Sequence, residues 1–235
     1  KYLMLIIGID PGISGSICFL KDGKMAFASE AKALLDICLK VLPFPPGHYF
    51  DGSDFKRYWE GTSPIRFHGP CLDKTLSSIN SLLTKAVEKR LRSDAPLGFL
   101  LSGGLDSSLV CAISSRLQKR PIRTFAIGME GDAIDLKYAK EVADFLGADH
   151  TEVVISKEDA LNALKNVIYH LETWDITTIR ASIGMYLVCK YIREKTDIKV
   201  LLTGEVSDEL FGYKYTDFAP SEEEFQKEAK KSHLL

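Results

Sequence analysis

The chain has 235 residues, of which 46% are hydrophobic and 26% are charged, the ordinary balance of a globular protein with a buried core. Lys and Arg total 30 against 32 Asp and Glu, so the formal net charge is −2, and the lack of a basic excess argues against a nucleic-acid-binding protein. The length allows one large domain or two small ones.

The first 60 residues contain short strand-like segments. Alternation and turn residues predict strands over residues 3–7, 16–20, 25–28 and 48–50, and a short helix over residues 30–39. The pair Asp22-Gly23 tolerates the positive φ of a tight turn and predicts a hairpin. Three prolines between residues 43 and 46 argue against regular structure there, and residues 61–64 are typical of a linker.

From residue 72 the apolar period becomes that of a helix, because leucines, isoleucine and valine recur at steps of three and four up to residue 91. Strands then alternate with helices. The predicted strands are 97–101, 122–127, 152–155 and 199–202, and the predicted helices are 107–117, 136–146, 159–171 and 179–194. This alternation predicts an α/β fold with a parallel, twisted sheet and helices on both faces. Ligands bind such sheets at the carboxyl ends of the strands.

The five cysteines lie far apart and form no CxxC pair, so their spacing fits neither a zinc site nor a dense disulfide framework. We expect buried thiols in a reducing compartment. The longest apolar stretch, residues 3–9, is far shorter than the ~20 residues of a membrane-spanning helix. It also lacks the features of a signal peptide. The sequence therefore predicts a cytoplasmic protein with no membrane partner.

The segment that joins the first α/β strand to its helix carries the most informative pattern, Leu-Leu-Ser-Gly-Gly-Leu-Asp-Ser-Ser at residues 100–108. Paired glycines let the backbone approach a phosphate, serine hydroxyls can donate to it, and a helix N-terminus favours an anion. Asp106 suits such a place if Mg²⁺ bridges its carboxylate and phosphate oxygens. The lysine of a Walker loop is absent. The alternative is an ordinary strand–helix turn with a capping Asp or Ser.

A second polar segment follows the last predicted strand. Glu205, Asp208 and Glu209 place three carboxylates close to its end, which suggests cation binding or proton chemistry. Taken alone, an acidic helix-capping turn is an equally good interpretation. The glycine-rich loop at the same edge of the predicted sheet favours a binding site.

Together these segments resemble the glutamine-dependent asparagine synthetases, and the loop at 100–108 resembles that of the ATP-pyrophosphatase superfamily, which cleaves ATP between its α- and β-phosphates. The resemblance extends over several further segments in the family's order. Residues 25–34 and 44–49 look like the end of the family's glutaminase domain, 124–129 like the strand whose backbone holds adenine, 172–182 like a stretch tied to aspartate and ATP, and 203–205 like the ATP-contacting Ser-Gly-Glu.

The resemblance implies two domains. Residues 70–235 would form the ATP-pyrophosphatase synthetase domain, with a fold like the adenine-nucleotide α-hydrolases, and would lack its C-terminal helices and their lysine. Residues 1–62 would be a small, mostly-β remnant of an N-terminal-nucleophile glutaminase (class II amidotransferase) domain. The family's glutamine nucleophile is an N-terminal cysteine, whereas this chain starts at Lys1.

The activity that the resemblance implies is that of an ATP-dependent carbon–nitrogen ligase. Aspartate would attack the α-phosphate of MgATP, giving β-aspartyl-AMP and pyrophosphate, and nitrogen from glutamine or ammonia would then displace AMP. ATP and Mg²⁺ are the implied cofactors, small molecules are the implied partners, and a homodimer is left open.

The resemblance also implies roles for particular residues. Glu205 and Asp106 would be catalytic, and Asp106 and Asp208 would hold the metal. Thr177 and Arg180 would bind aspartate, since a guanidinium fork suits a carboxylate; the alternative for Arg180 is a surface charge. The implied ATP and pyrophosphate site comprises Leu101, Ser102, Gly103, Gly104, Asp106, Ser107, Ile127, Thr203 and Gly204.

Two residues depart from the family pattern. Thr203 replaces a serine, and Val206 replaces a glycine, so we expect either an altered loop conformation or weak ATP binding. Three other functions remain open: a catalytically silent nucleotide-binding remnant, a β-lactam-synthetase-like amide ligase, and an RNA-modifying relative. The last predicts a basic surface or an added RNA-binding module, and the sequence shows neither.

Overall fold

The computed structural model describes residues 16–19, 25–45, 47–58, 71–131, 133–208, 218–225 and 227. The chain divides into two compact units, Lys1–Ile65 and Arg66–His233. None of the helices within the described ranges is long and apolar enough to cross a membrane. The strand predicted at residues 3–7, the hairpin turn at 21–24 and the linker at 61–64 lie outside the described residues.

The described residues of the first unit form two small antiparallel sheets. Strands β1 (Ser16–Phe19), β2 (Met25–Ala28) and β3 (Lys40–Pro43) pair in the order β2-β1-β3, and β4 (His48–Phe50) pairs with β5 (Phe55–Arg57). The rings of Phe27 and Phe50 lie 5.5 Å apart, and those of Phe44 and Phe55 lie 5.2 Å apart. This aromatic cluster supplies apolar contacts between the two small sheets of the unit.

The helix predicted over residues 30–39 is wrong. The structure has only a 3-10 turn at Ala31–Ala33, and β3 follows it. Leu34 is buried, but Leu35, Ile37 and Leu39 are exposed, so there is no apolar face whose packing could stabilise so short a helix. The prolines do not exclude a strand either, because β3 ends at a proline that can occupy a strand terminus at a sheet edge.

The cysteines differ from one another more than we expected. Cys111 is buried and Cys189 is half-buried, but Cys71 is exposed and Cys38 is joined in a disulfide bond. The expectation of buried free thiols is therefore wrong for these last two residues.

The second unit contains a four-stranded sheet in which every strand is parallel. Its strands are β6 (Leu97–Leu100), β7 (Arg123–Met129), β8 (Asp149–Ile155) and β9 (Val200–Leu202), in the order β8-β7-β6-β9. Phe99 of β6 is in register with Thr124 of β7 and with Leu202 of β9. The chain moves outward from β6 to β8 and then returns to the other side of β6. The order therefore reverses between β6 and β9, where parallel α/β sheets bind ligands.

Within residues 71–208, apart from the undescribed residue 132, five helices accompany this sheet, at the places that the apolar period predicts and with ends shifted by up to three residues. They are α1 (Leu72–Arg90), α2 (Leu105–Leu117), α3 (Ile134–Leu146), α4 (Lys157–Leu171) and α5 (Ile176–Lys195). A capping box between Ser156 and Asp159 begins α4. Gly147, at φ +62°, ends α3.

The helices cover both faces of the sheet, as predicted. One core cluster joins Phe99 and Ala126 of the strands to Cys111 of α2 and Ala139 of α3. The other joins Phe125 and neighbouring strand residues to Val188 and Ile192 of α5. Successive residues of β7 thus point to opposite faces, and the sheet is buried on both sides.

Candidate functional site

The loop between β6 and α2 passes close to helix α3. Leu101 donates its N–H to the carbonyl of Phe125 at 2.8 Å, which continues the β6–β7 pairing by one residue. Gly103 then has φ +80°, and a Cβ atom there would lie 2.6 Å from the backbone of Tyr138 and Ala139. Both the left-handed conformation and this close approach require glycine. The second glycine, Gly104, is the N-cap of α2.

Serine hydroxyls hold this loop in shape. The Oγ atoms of Ser102 and Ser107 are 2.9 Å apart, and Ser107 Oγ also donates to the Gly104 carbonyl at 3.3 Å. Both serines line the cleft described below. Ser108 does not; its hydroxyl is buried and has no partner among the described residues. The structure therefore does not support Ser108 as a phosphate donor.

The loop after β9 lies directly against the start of α2. A Cβ atom on Gly204 would be 2.6 Å from the backbone nitrogen of Ser107. Ser207 donates its hydroxyl to Oδ1 of Asp106 at 2.9 Å, across 101 residues of sequence. The two segments that the sequence singles out thus form one continuous surface at the carboxyl ends of β6 and β9.

A cleft of about 460 Å³ opens at this edge of the sheet. The strands and α5 provide its apolar lining: Leu100, Leu101, Phe125, Ala126, Ile127, Ala181, Gly184, Met185 and Val188. The loops and the start of α3 provide the rest: Ser102, Asp106, Ser107, Asp135, Thr203, Gly204, Glu205, Val206, Ser207 and Asp208. Among the described residues, the lining carries four carboxylates and no basic side chain, so a ligand with an apolar part and an anionic part, such as a nucleotide, suits it together with a divalent cation.

Most of the residues predicted for the site border this cleft. They are Leu101, Ser102, Asp106, Ser107, Ile127, Thr203, Gly204, Glu205 and Asp208. Gly103 and Gly104 do not border it but shape the loop that does. Glu209 lies outside the described residues.

The two residues predicted to bind aspartate are not among those that border the cleft. Thr177 and Arg180 are exposed at the start of α5, one helical turn before Ala181 and Gly184, which do border it. Asp175 caps this helix by accepting from the backbone N–H and the hydroxyl of Thr178, both at 2.6 Å. These hydrogen bonds, the hydroxyl one foremost, lower the pKa of the Asp175 carboxyl. An aspartate-binding role for Thr177 and Arg180 stays a prediction.

Sequence reasoning missed the contribution of α5 to the cleft. Ala181, Gly184, Met185 and Val188 fall at positions i, i+3, i+4 and i+7 of one helix face. That spacing is a signal for a buried helix face, but it does not tell a cleft wall from a core contact. Asp135 of α3 was also missed, and it has no motif around it.

The acidic residues of the cleft fit a magnesium ion that is shared with phosphates. Asp106 and Asp208 both line the cleft, and among the described residues no three acidic, histidine or cysteine side chains are grouped to hold a metal by themselves. Mg²⁺ commonly binds through one or two carboxylates together with substrate phosphates and water. The hydrogen bond from Ser207 orients the Asp106 carboxylate for such a role.

The residues that depart from the family pattern behave differently from each other. Thr203 keeps the hydroxyl, which accepts from the Glu205 N–H at 3.4 Å. Val206, however, has φ +74°, the left-handed region that glycine favours and that a β-branched side chain fits poorly. Val206 thus keeps a backbone conformation suited to glycine, and the expected weak ATP binding stays a prediction.

Replacing Val206 with glycine should therefore stabilise the loop. Left-handed backbone costs a residue with a Cβ roughly 1–2 kcal/mol, and the greater freedom of glycine in the unfolded chain offsets roughly 0.5–1 kcal/mol of that. We expect Val206→Gly to raise the free energy of unfolding by about 1 kcal/mol and to tighten ATP binding. Denaturant unfolding and calorimetric ATP titration measure both quantities. The control is Val206→Ala, which removes the β-branch but keeps the Cβ, and it should recover only part of the gain in stability. A glycine variant that is less stable than the unaltered chain would contradict the conclusion that Val206 is strained.

Sequence comparison identifies relatives over nearly the whole chain. The family model described as asparagine synthase matches residues 78–234. The chain is 43% identical to a probable glutamine-hydrolysing asparagine synthetase of Acanthamoeba polyphaga mimivirus, over 94% of this chain and 44% of that protein. It is 42% identical to the glutamine-hydrolysing asparagine synthetase of Cricetulus griseus, over 90% of this chain and 43% of that protein. The chain thus spans less than half the length of these curated relatives.

Among solved structures, an NH3-dependent NAD synthetase from Campylobacter jejuni is similar over 67% of this chain and 73% of that chain, with 21% identity and a TM-score of 0.40.

Proposed function

Since this chain belongs to the asparagine synthase family, we propose that its cleft binds MgATP and activates aspartate for amide formation. The observation that carries the proposal is the junction of the two loops, where Ser207 bonds Asp106 and Gly204 lies against Ser107. This junction supports the proposal because it brings serine hydroxyls, the N-terminus of α2 and carboxylates together where the strand order reverses.

The polar lining suits the triphosphate. Ser102 and Ser107 offer hydroxyl donors, and the N-terminus of α2 adds backbone N–H groups and a favourable dipole. Asp106 and Asp208 would hold Mg²⁺, which would neutralise charge on the phosphate oxygens. The apolar lining around Leu101 and Ile127 suits a purine base.

The proposed reaction has two steps. A side-chain carboxylate oxygen of aspartate bonds to the α-phosphorus while the bond from that phosphorus to the bridging oxygen breaks, which releases pyrophosphate and leaves β-aspartyl-AMP. Ammonia then bonds to the acyl carbon, AMP leaves, and the nitrogen loses a proton. Glu205 borders the cleft beside Gly204, and we assign it to the adenylate-forming step together with Asp106. Thr177 and Arg180 are the proposed aspartate ligands.

Binding and turnover test this proposal separately. MgATP binding is measured by calorimetry on the chain itself. Aspartate-dependent ATP–pyrophosphate exchange is measured on the chain extended by the remaining part of a full-length relative. Binding together with exchange supports the ligase; an extended chain without aspartate-dependent exchange contradicts it.

A second candidate is a nucleotide-binding remnant without turnover, and the strained backbone at Val206 favours it. This candidate predicts MgATP binding but no exchange, even in the extended chain. If ATP–pyrophosphate exchange appears in the extended chain only after the Val206→Gly change, then Val206 is the cause of the missing turnover.

We also expect that the chain does not hydrolyse glutamine. Burial raises the pKa of the Cys111 thiol to about 12 and raises that of Cys189, so neither is a ready thiolate. In the proposed glutaminase segment, residues 1–62, Cys38 is tied in a disulfide and Cys18 lies within β1. Amide formation should accordingly depend on free ammonia.

The measurement is glutamate release from glutamine alone, which should stay at the level of a blank without protein. Cys18→Ala and Cys71→Ala variants are the matched pair. If the chain releases glutamate, and if Cys18→Ala abolishes this release while Cys71→Ala leaves it unchanged, then residues 1–62 are a working catalytic domain.

A further inference from the structure

His150 is a half-buried histidine that the proposed reaction does not use. It is the second residue of β8 and lies in register with Thr124 of β7. Its Nδ1 atom is 2.8 Å from the hydroxyl oxygen of Thr124, a residue that is completely buried. Its Nε2 atom is buried as well and has no hydrogen-bond partner among the described residues. The described part of the chain therefore gives a partner to one ring nitrogen and not to the other.

Strand alternation places this imidazole on the α3 side of the sheet. Ile155 of β8 packs in the core cluster that includes α5, so His150, five residues earlier, points to the opposite face. On that face Ala126, two residues after Thr124 in β7, packs in one cluster with Ala139 of α3. Helix α3 contacts both strands. His150 thus lies on the face of the β7–β8 pair that α3 covers.

From this placement we propose that His150 is a pH-sensitive switch: the packing of α3 on the β7–β8 pair is stable while the imidazole is neutral and weakens when the imidazole is protonated. The Thr124 hydroxyl can both donate and accept, so it serves Nδ1 of the neutral ring in either tautomer. The imidazolium carries an N–H on both nitrogens, and its Nε2–H is then a buried, charged donor without an acceptor. Such a donor costs more free energy than an unpaired neutral group.

The charged groups around His150 do not compensate for this cost. They are Glu152 on the same strand and Lys140 and Asp144 on α3, while β7 presents the uncharged Thr124. Burial lowers the pKa of His150, the Glu152 carboxylate raises it, Lys140 lowers it and Asp144 raises it. The pKa stays below its ordinary value of 6.5, and the Asp144 carboxylate is engaged with Lys140.

The direction of this pKa shift gives the pH window of the switch. In the unfolded chain His150 takes up a proton near its ordinary pKa of 6.5, whereas the folded protein resists protonation to a lower pH. The stability that the neutral imidazole provides is complete above the unfolded pKa and is lost as the pH falls toward the folded pKa. Helix α3 also backs the glycine-rich loop, since a Cβ on Gly103 would lie 2.6 Å from the backbone of Tyr138 and Ala139. Acidification therefore weakens the support of the cleft.

The first test is denaturant unfolding of the unaltered chain and two variants at about pH 7.5 and about pH 5.5. His150→Gln keeps a hydrogen-bonding side chain that does not titrate, and His170→Gln is the matched control at an exposed histidine of α4. The carboxyl groups of Asp159 and Asp175 have lowered pKa values and titrate below this range. The unfolding midpoint of the unaltered chain and of His170→Gln should fall on acidification, and most of this fall should disappear in His150→Gln. An equal fall in His150→Gln overturns the proposal.

The second test needs no variant, so it decides the matter even if His150→Gln does not fold. NMR titration of the imidazole nitrogens in the intact chain should show that His150 stays neutral to a lower pH than in the urea-unfolded chain. A folded pKa at or above the unfolded one overturns the proposal. Hydrogen exchange at the two pH values, corrected for the intrinsic exchange rate, should show the added opening at acid pH in β8 and α3 more than in α5. An equal loss of protection in all three elements overturns the assignment of the switch to the packing of α3.

Discussion

Replacing Asp106 with asparagine is expected to reduce aspartate-dependent ATP–pyrophosphate exchange by at least ~100-fold, because a charged group that stabilises the transition state contributes several kcal/mol. Asp106 borders the cleft and accepts a hydrogen bond from Ser207. Asparagine has almost the same shape and can still accept this bond, but it lacks the charge that holds a divalent cation. The fold should therefore persist while the metal-dependent step is lost.

The assay uses the chain extended by the remaining part of a full-length relative, and MgATP binding to the chain itself gives a second readout. Asp73→Asn is the control, because Asp73 occupies the first turn of α1 as Asp106 occupies that of α2. Both changes remove a negative charge whose interaction with the helix dipole stabilises the helix N-terminus by roughly 0.3–1 kcal/mol. Only the change at Asp106 alters a residue of the cleft. Exchange at the unaltered rate in Asp106→Asn would end the assignment of Asp106 to the metal and to catalysis.

Replacing Gly204 with alanine should disrupt the site through its backbone. The new Cβ would lie 2.6 Å from the Ser107 nitrogen and 2.8 Å from the Asp106 carbonyl carbon, distances at which the loop or the helix must move. Overpacking of this kind typically costs about 1–3 kcal/mol of stability. Because movement separates the two loops that form the phosphate site, we also expect ATP affinity to fall by about 10-fold or more.

Gly184→Ala is the matched control for this change. Gly184 also borders the cleft, but a Cβ there would have its nearest neighbour, Ile127 Cγ2, at 3.7 Å, an ordinary contact. Denaturant unfolding and calorimetric ATP titration of the two variants give the comparison. Equal stability and equal ATP affinity in the two alanine variants would show that the approach of Gly204 to α2 does not hold the site together.

The sequence alone determined the parallel α/β architecture of the second unit and the edge of the sheet at which the cleft lies. The apolar periods are long there, and each strand alternates with a helix, so burial on both faces leaves few other arrangements. The glycine-rich loop and the segment after β9 were recognisable as partners because parallel strands bring their carboxyl ends to one edge. In the first unit, strands are found where residues 16–20, 25–28 and 48–50 predict them. The helix expected over residues 30–39 is absent, and the strand β3 that begins at Lys40 depends on its pairing with β1.

Only the tertiary structure decided how the cleft is completed. Asp135 and the α5 face around Gly184 come from elements without a chemical motif, and their place in the cleft follows from packing against β7 and the loop at Gly103. The same holds for the hydrogen bond between Ser207 and Asp106, which joins segments 101 residues apart. The family resemblance implied that Val206 stands in place of a glycine, but whether the backbone would relax around it depended on the surrounding loop. At φ +74° it did not relax, because local preference costs only a few kcal/mol and tertiary contacts can override it.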